Sequence, residues 1–187
     1  MDKFVTILIT NQKRRIFFRA WLMGLSLLLF FPPLYANPSI EQKIKVAYIY
    51  NFTKFITWPQ KPNDTFNLCV LGKDPFGALF NSLESKTAFG VPIKLIRLQK
   101  TDPSNHCQIL FLGERLETNI IQSTPSIGIL TVSEKTQFVQ QEGIIGFIIK
   151  KGKVKLKINI NNAKQAGLII SAKLLEIADL VGEGEDG

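Results

Sequence analysis

Residues 66–77 read FNLCVLGKDPFG. Phe66 to Leu71 is a short, nearly continuous apolar run, the pattern of a strand covered on both faces. Asp74-Pro75 then reads as a helix N-cap followed by proline at the first helical position, with the helix continuing through Phe80 and Leu83. A buried strand that passes directly into a helix is the repeating unit of an α/β fold.

The theme recurs along the chain. PIKLIRL (92–98), CQILFLG (107–113) and IGILTVS (127–133) read as further strands, ERLETNIIQ (114–122) as a helix between the last two, and TQFVQQ (136–141) as a short helical turn. IIGFIIKKGKVKLKINI (144–160) predicts a hairpin turning at Lys151-Gly152. Its second arm alternates, with Val154, Leu156, Ile158 and Ile160 on one face and Lys153, Lys155, Lys157 and Asn159 on the other. That is a half-exposed strand near a sheet edge, where lysines discourage unwanted pairing. Upstream, Ser39 to Thr57 is helical until Trp58-Pro59 stops it. Downstream, Asn161 or Asn162 caps one long helix, AKQAGLIISAKLLEIADLV (163–181). The expectation is one three-layer α/β domain over residues 37–187. It has a mostly parallel sheet of about six strands flanked by helices, and an antiparallel β-hairpin before the C-terminal helix.

Residues 1–36 read as an export signal. Lys13, Arg14, Arg15 and Arg19 form a basic region, Ala20 to Phe31 an apolar one, and Pro32-Pro33-Leu34-Tyr35-Ala36 the cleavage segment. A retained membrane anchor is the alternative, but the apolar run falls short of the ~20 residues that span a bilayer. The expected location is therefore periplasmic. Five of the 23 basic residues and one of the 15 acidic ones lie in that segment, leaving 18 against 14. The basicity belongs mainly to the signal, which removes most of the case for nucleic-acid binding.

Cys69 and Cys107 are the two cysteines. An even pair in an oxidising compartment reads as a disulfide, the alternative being two buried thiols that pack as small hydrophobes. Catalytic groups are scarce. The single histidine, His106, is placed next to Cys107 at a strand entrance, where neighbours point to opposite faces and make a poor nucleophile–base pair. No HExxH, CxxC or carboxylate cluster points to a metal, and GKDPFG lacks the Lys and Ser/Thr of a phosphate loop. The expectation is a binding protein with no enzyme activity and no cofactor.

KVAYIYNFTKFITWP (45–59) shows where such binding would occur. At 100° per residue, Ile44, Tyr48, Ile49, Phe52, Phe55, Ile56 and Trp58 form one apolar arc for the core. Asn51 falls inside that arc and is assigned a structural hydrogen bond, because a buried amide without partners costs about 1–3 kcal/mol. Val46 and Tyr50 lie opposite, among Thr53, Lys54 and Thr57. In the last helix Ile169 and Leu180 lie behind the buried face. Val46, Tyr50, Lys54 and Ile169 are the partner-contact candidates, and Asn159 joins Asn51 as a structural polar residue. An alternative is a small-molecule receptor feeding a membrane sensor or transporter, with its ligand beyond the carboxyl ends of the strands near Gly72–Asp74 and Gly113-Glu114.

The blocks AYIYNFTKFITWP, CVLGKDPFG, CQILFLG, ILTVSEKTQF with EGIIGF, and LKININNAKQAGLIISAKLLEIADLV together resemble the YfiR-like family of bacterial periplasmic proteins, in order from about residue 40 to 182. The resemblance implies a small α/β domain that dimerises and represses a membrane-bound diguanylate cyclase through the cyclase's periplasmic sensor region, controlling cyclic di-GMP signalling and biofilm formation. It further implies sequestration by an OmpA-like outer-membrane lipoprotein. The Cys69–Cys107 pair has counterparts in the family. A second cysteine pair that members carry near the 140s has none here.

Overall fold

The computed structural model describes residues 37–100, 102, 104–113, 127–135, 137–141 and 143–182. The segment read as an export signal (1–36), the helix expected over 114–122 with its Glu114, and the acidic end of the chain lie outside the described residues.

The backbone runs α1 (Ile40–Phe55), β1 (Ile56–Thr57), β2 (Phe66–Leu71), α2 (Ala78–Asn81), β3 (Thr87–Ala88), β4 (Val91–Leu98), β5 (Ile109–Leu112), β6 (Leu130–Ser133), α3 (Phe138–Gln141), β7 (Ile145–Lys150), β8 (Lys153–Asn159), α4 (Ile160–Gln165), β9 (Ile169–Ile170), α5 (Ala172–Leu175) and β10 (Ala178–Val181). The main sheet has eight strands in the order β10-β8-β7-β6-β5-β2-β4-β3. The pairs β4/β2, β2/β5, β5/β6, β6/β7 and β8/β10 are parallel, and β7/β8 and β3/β4 antiparallel. The fold is α/β with a mostly parallel sheet, two strands wider than its sequence pattern shows.

The continuous apolar runs divide as a period of two requires. Leu68, Val70, Ile109, Phe111, Leu130 and Val132 join α1's Ile49 and Phe52 in the larger core. Cys69, Leu71, Leu110 and Leu112 point the other way and meet Phe138 and Val139 of α3 in the smaller one. Where β6 presents polar side chains to the second face, each is satisfied: Ser133 Oγ donates to the Leu112 carbonyl, and Thr131 Oγ1 accepts from the Ile144 amide.

The hairpin forms as its pattern predicts. Lys150 pairs with Lys153, and the two turn residues both take left-handed backbone, Lys151 at φ 52° and Gly152 at φ 70°. A second tight turn of the same kind, Phe89-Gly90, joins β3 to β4. Asp74 caps a turn instead of a helix. Its Oδ1 accepts from the Phe76 and Gly77 amides, α2 starts only at Ala78, and Oδ2 takes the Arg97 guanidinium at 2.7 Å.

The single C-terminal helix is a correction. Residues 163–181 form the end of α4, then β9, α5 and β10. Gly167 at φ 70° ends the first helical turn, and β10 completes the sheet edge beside β8, gaining hydrogen bonds that no local periodicity reveals. The cap also differs: Asn159, expected on the exposed face of β8, is buried. Its Oδ1 accepts from the Asn162 amide and its Nδ2 donates to the Val139 carbonyl.

Cys69 and Cys107 are joined in a disulfide across 38 positions, with Cα atoms 5.8 Å apart. The loop so closed corresponds to about 4 kcal/mol of chain entropy. Reduction is expected to lower the melting temperature by roughly 10 °C, read by calorimetry with and without a phosphine reductant. Asn159→Ala is expected to destabilise by about 2 kcal/mol through loss of the cap and the orphaning of the Val139 carbonyl, read by urea denaturation.

Candidate interaction surface

Helix α1 starts from a complete capping box, in which Ser39 and Gln42 each bind the other's backbone amide. Its buried residues are Lys45, Val46, Ile49, Phe52 and Thr53. The core-facing side is therefore turned from the apolar arc by a little less than one residue step of about 100°. Two effects cause this. The helix ends at Phe55, so Trp58 does not belong to its face; the indole is buried separately, donating to the Gln108 carbonyl. And two residues that count as polar go down with the core. Thr53 returns its hydroxyl to the Tyr50 carbonyl, while the Lys45 ammonium reaches Glu41 one turn earlier and Glu134 at the end of β6.

Val46 is consequently 6% exposed and part of the larger core, which removes it from the outward-facing set. Ile44, placed in the core arc, is exposed instead. Asn51 is half-buried, and among the described residues no hydrogen bond holds its amide.

Tyr50 and Lys54 do come together. The Lys54 ammonium lies 4.6 Å from the centre of the Tyr50 ring, and that of Lys86 lies 5.1 Å from it. One half-buried aromatic thus carries two cations. Close to the end of the same helix, β1 pairs antiparallel with β9, matching Ile56 to Ile170 and Thr57 to Ile169, and the Ser171 amide donates to the Phe55 carbonyl. This ribbon presents Ile169, 68% exposed.

A third feature lies beyond the sequence reading. Pro59 packs against both Gly128 and Gly167, and the Gly128 amide donates to the Ala166 carbonyl. That junction places Ile127, 71% exposed, near the β1–β9 ribbon. Phe89 stands edge-on to Trp58, the residue before Pro59, and is itself partly exposed. Ile127 and Phe89 carry no signal as a pair in the sequence, because only the Trp58-Pro59 corner brings their segments into one region.

The carboxyl ends of the strands are built differently. Gly113 approaches the Lys73 backbone so closely that a Cβ there would lie 2.2 Å from the Lys73 carbonyl oxygen. The loops after β2 and β5 are thus packed backbone to backbone where the strand order reverses, which is where an open α/β sheet holds a ligand. The Asp74–Arg97 pair closes the same loop onto β4. No helix among the described residues is long and apolar enough to cross a membrane.

A family model described as YfiR/HmsC-like matches residues 42–179. Among solved structures, a conserved domain protein of Vibrio cholerae O1 biovar El Tor is similar, at 14% identity and a TM-score of 0.45. The similarity covers 74% of this chain and 59% of that one, so the chain spans less than two thirds of its length. No curated protein matches.

The Lys45 site yields a pH prediction. Burial disfavours the ammonium charge, but the carboxylates of Glu134 and Glu41 outweigh it and raise the lysine above its ordinary value of 10.5. A folded value above the unfolded one means full stabilisation below about pH 10.5, lost as the pH rises through the folded value. Lys45→Met should therefore flatten the fall in stability at high pH relative to the parent chain, in urea melts taken from about pH 7 upward. Glu134→Gln should cost about 1–3 kcal/mol at neutral pH.

Proposed function

The chain belongs to the YfiR/HmsC-like family, and on that premise we propose that it is an exported regulatory binding protein. It represses a membrane-bound diguanylate cyclase through the cyclase's periplasmic sensor region, and so controls cyclic di-GMP signalling and biofilm formation. Residues 1–36 direct export and residues 37–187 do the work in the periplasm. The role is binding, without catalysis.

The mechanism is mass action. Binding one conformation of the sensor region draws the cyclase toward that state in proportion to the difference in affinity between its states. Capture of the repressor by a second partner, an OmpA-like outer-membrane lipoprotein, withdraws it and frees the cyclase. The repressor acts as a homodimer, which presents each contact surface twice.

The observation that carries this reading, beside family membership, is the outward-facing end of α1 and the ribbon that follows it. Tyr50 with Lys54 and Lys86 offers an aromatic ring under two cations, and Ile169, paired with Thr57 just past the end of α1, offers an exposed apolar side chain. An aromatic and cationic patch beside an apolar one suits a partner segment with acidic and apolar residues. Val46 contributes by packing, not by contact. The small-molecule alternative has less support, since at Gly113 the Lys73 backbone approaches too closely to leave room even for a Cβ.

Calorimetric titration of the full chain against the periplasmic region of a cognate cyclase is expected to give a saturable heat. Lys54→Glu and Ile169→Asp are each expected to weaken binding about tenfold or more while leaving the melting temperature unchanged. A folded chain that shows no binding at tens of micromolar, about 10⁻⁵ M, overturns the reading.

A further inference from the structure

Cys69, His106 and Cys107 form a group whose three donor atoms, two sulfurs and an imidazole nitrogen, all lie within 4.8 Å of one another. His106 and Cys107 are not on a strand. They sit in the turn before β5, where the Cys107 amide donates to the Ser104 carbonyl, so strand alternation does not separate their side chains. Both sulfurs are buried and the histidine is exposed above them.

We propose that cleavage of the Cys69–Cys107 disulfide converts this group into a site for a thiophilic metal ion of the zinc class. Two thiolates and a neutral imidazole are a borderline-soft donor set that suits tetrahedral Zn²⁺, with the fourth position left to water. The charges also balance: two thiolates neutralise a divalent ion, which matters where both sulfurs are buried. The chemistry closes as follows. A thiol reductant gives two electrons and two protons to the disulfide, itself becoming a disulfide, and leaves two cysteine thiols. The metal ion then replaces both thiol protons, which pass to solvent.

The framework holds the donors together without the sulfur–sulfur bond. Asn67, on the same strand as Cys69, donates from Nδ2 to the His106 carbonyl at 2.8 Å. Its backbone exchanges hydrogen bonds with Gln108, the Asn67 amide donating to Oε1 at 2.6 Å and the Gln108 amide to the Asn67 carbonyl at 3.0 Å. Thr65 Oγ1 donates to Asn67 Oδ1 at 2.8 Å, fixing that side chain. The β2/β5 ladder, pairing Cys69 with Leu110, sets the remaining distance. In a tetrahedral site with metal–sulfur bonds near 2.3 Å and metal–nitrogen bonds near 2.0 Å, these donors would stand about 3.5–3.8 Å apart. The sulfurs therefore separate and the exposed imidazole swings inward, each a side-chain movement. The sequence pairs Cys69 with Cys107 and sets His106 beside the latter, but strand alternation would point those neighbours apart, so the three-donor group emerges only once both are seen to lie in a turn.

The full chain, reduced with a phosphine that is then removed, is titrated with Zn²⁺ and with Co²⁺ as a spectroscopic substitute. The expected result is one ion bound per chain, thiolate-to-cobalt charge-transfer absorption with tetrahedral ligand-field bands, and no such binding by the oxidised chain. His106→Ala should weaken the ion on the order of tenfold or more while keeping the charge-transfer band. Zn²⁺ should also protect both thiols of the unsubstituted chain from alkylation, a readout that needs no cysteine variant to fold. No uptake after reduction, equal uptake by the oxidised chain, unprotected thiols or a His106→Ala affinity like the parent's each overturns the proposal. None of these outcomes bears on the cyclase reading, which rests on a different face and a different measurement.

Discussion

An ammonium group drawn under a helix sets how this domain presents itself. Lys45 lies beneath α1, held by Glu41 on its own helix and by Glu134 at the end of a central strand. A buried lysine without partners is strongly destabilising, so the helix has one favourable roll on the sheet, the one that brings Lys45 to Glu134. That roll takes Val46, Ile49 and Phe52 down with it and leaves Lys54 exposed and Tyr50 half-exposed. The candidate surface is thus a consequence of an ion pair near the other end of the helix.

The sheet beneath supplies the rigid reference. Its central strands are apolar on both faces, so a slip of one residue would still bury hydrophobes. Register is fixed by the polar exceptions: Ser133 on the Leu112 carbonyl, Thr131 on the Ile144 amide and Asn67 on the Gln108 segment. Each of these groups is buried or half-buried and satisfied by partners on a neighbouring strand or loop, and misalignment would leave it unsatisfied. The same Asn67 network steadies the turn that carries His106 and Cys107, so one device serves both strand register and the geometry around the disulfide.

The two ends of the described domain are coupled through the short β1–β9 ribbon and the Trp58-Pro59 corner. Beyond α1, which ends at Phe55, Pro59 covers Gly128 and Gly167 and so positions the segments carrying Ile127 and Ile169. Backbone pairing of only two residues a side contributes little by itself. Its effect is positional, turning the exit of a helix and a C-terminal segment into one piece of surface.

The amino-acid order alone determined strands β2, β4, β5, β6, β7 and β8, the hairpin turning at Lys151-Gly152, most of the opening helix and the family. Each of these is written in local periodicity, turn chemistry or an uninterrupted series of blocks. Tertiary structure decided the rest. It chose the buried side of α1, because only folding brings Glu134 to Lys45 and lets a charged residue count as interior. It replaced one C-terminal helix by α4, β9, α5 and β10, because a strand at a sheet edge is stabilised by a neighbour distant in sequence, which the helical spacing of Ala163, Ala166, Ile170 and Leu174 cannot register. And it gathered Cys69, His106 and Cys107, whose proximity depends on strand pairing across β2 and β5. Local sequence records which conformations a segment favours by itself, whereas burial of charge and pairing between remote strands depend on what the rest of the chain brings alongside.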